Sequence, residues 1–259
     1  LSAGVAYEEN PTISYVPLSG RDFTRRMLSP ITLSEFLMLT ESSLHQERVF
    51  ELVIYRINGL HNPVLTQGEG SPEFERLMQL YGDLRRADVL DMAVVDTDEA
   101  DRQYLTLHDY EPRYGDAVRE FLELLGLEVK ADGSPILLPI RMGVAAPTDA
   151  VHLETRSAMS VLRLFSLGVE VPPSHLEAGI VEPRVSGERD NGGFIDIRSG
   201  GKPPEDATVQ VRFRDRWFYV DSTDTSSKSA FRVLRTLIGM RLAEPGARSQ
   251  APNLTVPVN

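Results

Sequence analysis

"TVQVRFRDRWFYVDSTDTSSK", Thr208 to Lys228, sets two runs of alternating apolar and polar residues on either side of Arg214-Asp215 and follows them with a cluster of Asp, Ser and Thr. Alternation with period two predicts two strands, and the two-residue break between them predicts a hairpin. That hairpin places Val209 opposite Val220, Val211 opposite Phe218 and Arg212 opposite Trp217. One face then carries Val209, Val211, Phe218 and Val220, which are expected to enter the core. The other carries Gln210, Arg212, Trp217 and Tyr219, where Arg212 is expected to lie on the Trp217 ring for about 0.5 to 1 kcal/mol. Asp215 is expected to supply the left-handed turn residue, because Asp visits that backbone region more readily than most. Asp224 or Thr225 is the expected N-cap of a helix running from about Thr225 to Leu242, with the neighbouring acids near its positive end. On it Phe231, Leu234, Ile238 and Leu242 are expected to face inward, and Lys228, Arg232 and Arg235 outward.

Working upstream, "FIDIRS" reads as a further strand, and "TRSAMSVLRLFSLG" as an apolar helix capped by Thr155 and ended by Gly168. "LEVKADGSPILLPIRMG" predicts a hairpin about Asp132-Gly133 whose second arm, carrying Pro135 and Pro139, lies at a sheet edge. Val118, Phe121, Leu122 and Leu125 mark a helix stopped by Gly126, and "VLDMAVVD" and "QYLTLH" mark strands before it. Phe74, Leu77, Met78, Tyr81 and Leu84 mark a helix starting at Pro72. In "LHQERVFELVIYRING" the spacing of Val49, Leu52, Val53 and Ile57 predicts one helix ended by Asn58-Gly59, and "SEFLMLTESS" is a helix capped by Thr32 or Ser34. Residues 1–20 read as an extended arm and 244–259 as a tail.

Helices and strands come in clusters rather than in strict alternation, which predicts an α+β fold: a helical N-terminal portion, then mixed or antiparallel strands with a C-terminal hairpin and helix. Pro172-Pro173 divides a helix-rich portion, 1–171, from a strand-rich portion with the terminal helix and tail, 172–259.

The formal charge of -11 argues against a nucleic-acid backbone as partner, because phosphates require a field of the opposite sign. No cysteine is present, which removes disulfides, thiolate metal sites and thiol nucleophiles. No apolar run reaches the roughly 18 to 20 residues of a membrane helix.

Each reactive-looking motif has a simpler reading. Asp96 and Asp98 follow a strand as in aspartyl phosphotransferases, yet Ala100 stands where those enzymes place Thr or Val, so a solvated acidic turn is expected. Asp96, Asp98 and Asp101 lack the central Gly and closing Glu of a calcium loop. Pro203 stands where a phosphate loop has Ser or Thr. His45, His61, His108, His152 and His175 form no helical metal pair. No cofactor, metal ligand or catalytic residue is therefore assigned. The alternative kept open is a hydrolase with a dispersed His, carboxylate and Ser site around His108 and Asp109. Ser34 to His108 also has the helix and hairpin order of a winged helix, but the acids that crowd its wing would repel phosphates.

The clearest anomaly is charge. Residues 207–248 hold eight Lys or Arg and four acids, a local +4 that leaves -15 elsewhere. Arg212, Arg214, Trp217, Tyr219, Arg232 and Arg235 are the candidate partner-binding residues, since Trp and Arg dominate binding hot spots.

Three segments, "ENPTISYVPLSG" (9–20), "YRINGLHN" (55–62) and "RFRDRWFYVDSTDTSSKSAF" (212–231), resemble those of a family of uncharacterised bacterial envelope proteins, many of them lipoproteins. The resemblance implies a periplasmic or lipid-anchored protein whose lipidated cysteine lies upstream of Leu1, and it transfers no catalytic residue. The expectation is a non-enzymatic envelope protein that binds a protein or an anionic polymer through its C-terminal hairpin and helix.

Overall fold

The computed structural model describes residues 20–43, 46–63, 71–95, 102–129, 131–144, 149–181 and 195–243. The expected arm (apart from Gly20), the acids at 96, 98 and 101, and the tail lie outside them.

The first three helices are α1 (Gly20–Leu28), α2 (Leu33–Ser42) and α3 (Gln46–Val53). Thr32, not Ser34, begins α2: its hydroxyl accepts from the Glu35 amide while its own amide donates to the Glu35 carboxylate at 2.8 Å. The single helix expected from Leu44 to Ile57 is two elements. α3 stops at Val53, and Ile54–Ile57 becomes strand β1, paired with β2 (Leu60–His61). Asn58 and Gly59 take φ of 43° and 85°, the two positive values of a tight hairpin turn, so the pair signals a strand reversal and not a helix end. Asn58 is held there by donating to the Leu125 carbonyl at 2.8 Å and accepting from the His152 amide at 2.6 Å.

Next come α4 (Pro72–Arg86), β3 (Leu90–Val95), β4 (Arg102–Leu107), α5 (Gly115–Leu124), β5 (Ile136–Met142), β6 (Val151–Thr155) and α6 (Ala158–Leu167). The cap of α6 is Ser157, which accepts from the Ser160 amide at 3.1 Å. Thr155, expected in that role, ends β6 and donates to the Ile31 carbonyl.

Six strands form a mixed sheet in the order β2-β1-β6-β5-β4-β3, parallel only between β5 and β6. β5 is therefore interior, contrary to the edge position expected from its prolines, and the described residues before it form no hairpin arm. The reason is in its register: β4 pairs with Ile136 to Pro139, and β6 takes over from Ile140 to Met142. Pro139, which has no N–H to give, sits where one neighbour hands over to the other. The winged-helix order is not kept, because β1 and β2 intervene between α3 and α4 and the β3–β4 pair belongs to the large sheet.

The rest of the chain adds α7 (Pro173–Glu177), β7 (Arg198–Gly200), β8 (Val209–Phe213), β9 (Arg216–Val220) and α8 (Thr225–Leu242), with a small antiparallel sheet in the order β7-β9-β8. The expected strand "FIDIRS" contracts to β7. Upstream of it, Ile197 makes a lone bridge to Val169, and Ile195 is buried in the core. The fold is α+β.

One face of the large sheet, with Leu105, Leu138, Ile140, Val151 and Leu153, packs under Phe36, Phe50, Leu77, Tyr81 and Phe121. Each such side chain contributes about 1.5 to 3 kcal/mol through burial. A gap of about 20 Å³ among Phe36, Phe50, Tyr81, Phe121 and Leu105 has apolar walls, and at that size it is a packing defect rather than a ligand site. Arg156 is buried at the edge of this core, where its guanidinium donates to the carbonyls of Glu51 at 2.9 Å and Ile54 at 2.8 Å. It caps the end of α3 just where the chain turns into β1. Burial pushes its pKa down to about 10.

The last helix closes the structure. α8 packs on α1, α2, α3 and α6, and its Ala230, Val233 and Leu237 join the core cluster. Its inward stripe is thus Ala230, Val233, Leu237 and Arg241, one position back from the expected one. Phe231, Leu234 and Ile238 flank that stripe half-buried, and Leu242 is exposed. Phe231 still packs edge-on against Phe165, with ring centres 4.9 Å apart.

Candidate functional site

The β8–β9 hairpin has the register read from its alternation: Val209 opposite Val220, Val211 opposite Phe218, Arg212 opposite Trp217. Its turn differs in detail. The left-handed residue is Arg214, with φ 55°, and not Asp215. Asp215 is used otherwise: its carboxylate lies 3.3 Å from Nε2 of His175, a side chain that α7 holds 4% exposed. The rings of Phe213 and Phe218 lie beside that imidazole. The hydrogen bond from His175 is the main cause that holds the Asp215 carboxyl below its ordinary range, followed by a backbone amide. This pair fastens the hairpin tip to α7.

The two faces of the hairpin are less distinct than the alternation predicted. Val220 is fully buried and Phe218 half-buried, but Val211 is 59% exposed and Phe213 51% exposed, so the apolar face enters the core only at the end nearest α8. On this face α7, a helix of five residues, reaches the hairpin through His175, beside Phe213 and Phe218. The guanidinium that lies on a ring is Arg214, 5.5 Å from the Phe213 ring centre, rather than Arg212 on Trp217.

On the opposite face, β7 extends the row. Arg198 stands opposite Tyr219 and Gly200 opposite Trp217, so the indole faces a residue with no side chain to cover it. Trp217 and Tyr219 are half-buried, and Gln210 and Arg212 are exposed. Arg198 is tied to Asp196 at 2.9 Å and to Asp221 at 3.5 Å. Asp221 is held below the ordinary carboxyl range mainly by Thr223, with Arg198 and Lys228 adding to it. Among the described residues, Arg212 and Arg214 have no carboxylate partner. The face therefore offers two aromatic surfaces and one exposed uncommitted cation, while the space over Gly200 is taken by the Lys202 carbonyl and the Tyr219 ring.

The basic surface of α8 is smaller than its sequence implied. Arg241 is buried, donating to Ser29 Oγ and the Pro30 carbonyl at 2.8 Å and pairing with Glu35 at 3.1 Å. Lys228 donates to the Ser222 carbonyl. Asp224 is the N-cap, accepting from the Ser227 amide at 2.9 Å. Arg232 and Arg235 are exposed on α8, whose packing partners are helices, whereas β8 and β7 both pack with β9. The candidate residues thus fall on two parts of the fold, the small sheet, with Arg212, Trp217 and Tyr219 on one face and Arg214 at its turn, and the helix with Arg232 and Arg235.

His108 lies 3.4 Å from Asp109, a side chain 95% exposed with φ 50°, which is the polar end of β4 turning outward. Among the described residues no three His, Asp or Glu side chains converge as metal ligands would. Arg198, Gly200 and the His175–Asp215 pair had no signal in the reading of single motifs. Arg198 and Gly200 needed the third strand, and His175 and Asp215 lie 40 residues apart. Comparison with protein-family models, curated proteins and solved structures finds no match to this chain.

Proposed function

We propose that this is a non-catalytic binding protein that takes an acidic partner, a protein or an anionic polymer, on the outward face of its small sheet. The observation that carries the reading is Trp217 and Tyr219 beside Arg212, an exposed guanidinium with no carboxylate partner among the described residues, in a chain whose formal charge is -11. A cation left unpaired in an acidic protein draws an anion from outside, and half-covered aromatic rings add contact area that salt does not screen. Placement in the bacterial envelope, periplasmic or lipid-anchored, rests on the resemblance of the three quoted segments. Metabolic labelling of the full-length protein with a radioactive fatty acid tests it.

The binding reading is tested by titrating polyglutamate at several salt concentrations. Affinity should fall as the Debye length shrinks from about 10 Å at 0.1 M to about 3 Å at 1 M, and a residual part should persist at high salt. Arg212→Ala should flatten the salt slope and Trp217→Ala should remove the residual part. An Arg232→Glu, Arg235→Glu double variant with an unchanged slope would confine the site to the sheet. Wild-type protein that fails to bind polyglutamate at any salt concentration sinks the reading for acidic polymers.

A further inference from the structure

Among the described residues the small sheet ends in β8, whose outer edge no other strand pairs. Phe213 and Arg216 flank the two-residue turn, so they exchange both ladder hydrogen bonds, and the alternation along an antiparallel pair then turns the N–H and C=O of Gln210 and Arg212 away from β9. Among the described residues, no backbone hydrogen bond outside the β8–β9 ladder reaches residues 209–213. Gln210, Val211, Arg212 and Phe213 are all exposed. The edge of the large sheet is treated differently. On β3 the Asp91 carboxylate accepts from the next amide along the strand at 2.7 Å and pairs with Arg85, a charged cover that discourages pairing with another chain.

We infer that β8 accepts a fourth strand, an extended peptide that alternates carboxylate and apolar side chains. The inference deepens the proposed acidic-partner reading by naming the partner's form. An added strand pairs its backbone with Gln210 and Arg212. Its side chains on one face meet Val211 and Phe213, and those on the other meet Arg212 beside Trp217 and Tyr219. Carboxylates belong on the second face, because Arg212 lacks an acidic partner among the described residues. A second copy of β8 would instead bring the arginines of two hairpins together, which like-charge repulsion opposes.

The probe is a synthetic octapeptide of strictly alternating glutamate and valine, acetylated and amidated at its ends, followed by fluorescence of Trp217, the single tryptophan of the chain. Wild type should bind it saturably. Arg212→Pro deletes an outward N–H without deleting a ladder bond, and it should weaken binding at least about tenfold, whereas Arg212→Ala, which keeps that N–H, should weaken it by about three- to fivefold. In case the proline variant unfolds, peptides N-methylated on alternate residues make the same distinction: methylation of one set should abolish binding and of the other set leave it. Equal binding of both N-methylated peptides, or of a block octapeptide with all its glutamates before all its valines, would overturn strand addition while leaving the acidic-partner reading standing. Equal binding of the octapeptide that alternates lysine and valine would overturn the charge assignment. A wild-type dimer in light scattering that Arg212→Pro converts to monomer would replace the peptide by a second copy. Binding of neither the alternating peptide nor polyglutamate would remove both readings together.

Discussion

The two sheets answer the same problem in opposite ways. In the large sheet, backbone groups at strand ends and edge are met from within: Arg156 covers the carbonyls at the α3–β1 junction, Asn58 ties the β1–β2 turn to Leu125 and His152, and Asp91 covers the β3 edge. In the small sheet, Arg212 and the outward backbone of β8 are met by nothing among the described residues. A buried polar group left unmet costs about 1 to 3 kcal/mol, whereas an exposed one is satisfied by water and costs little. The difference teaches where substitution should cost stability and where it should cost binding.

The most damaging break is on the large-sheet side. Arg156→Met fills the space but strands the carbonyls that the guanidinium served, and urea unfolding should show a loss of about 3 kcal/mol with binding at the small sheet unchanged in the fraction still folded. Asn58→Ala loses three side-chain bonds, to Leu125, Ala150 and His152, and places a Cβ residue without Asn's tolerance at positive φ. Its expected cost is about 2 kcal/mol, and Asn58→Gly, which restores the backbone freedom, should recover about half of it. On the small-sheet side the sign of the comparison reverses. Trp217→Ala should reduce polyglutamate or peptide affinity about tenfold while changing stability by less than about 1 kcal/mol. A large stability loss there would mean that the indole belongs to the core and would erase the contrast.

The smallest effect concerns acid. Asp215 has a folded pKa below its ordinary 3.8, so its pairing with His175 contributes fully above that value and is lost as pH falls through the lower folded value. Wild type and Asp215→Asn should therefore differ in unfolding midpoint above about pH 4 and converge as the pH drops further, measured by denaturant titration at stepped pH.

Much of this arrangement was legible in the residues. The hairpin register, the Asp224 cap and the bounds of α8 follow from period-two alternation, a two-residue break and a capping cluster, all of which act over a few residues. The candidate sheet face was half legible, since the alternation gives Arg212, Trp217 and Tyr219 but not the third strand that adds Arg198 and Gly200. Other features were decided at longer range. "VIYRI" satisfies helical and strand spacing alike, and only its pairing with β6 settles the matter. The inward side of α8 depends on which helices cover it, and Arg241 reads as a surface cation until Ser29, Pro30 and Glu35 surround it. Pro139 signals an edge, and β5 is one for each neighbour over half its length.

Arg241 also bears on the order of events at the ribosome. Its partner Ser29 precedes it by 212 residues, which at about 5 to 20 residues per second amounts to roughly 10 to 40 seconds of synthesis. During that interval α1, α2 and α3 have been made, but the helix that roofs them has not. Their apolar sides must wait uncovered or be held by a chaperone, and a stalled chain lacking α8 should be a far better chaperone client and protease substrate than one released at full length.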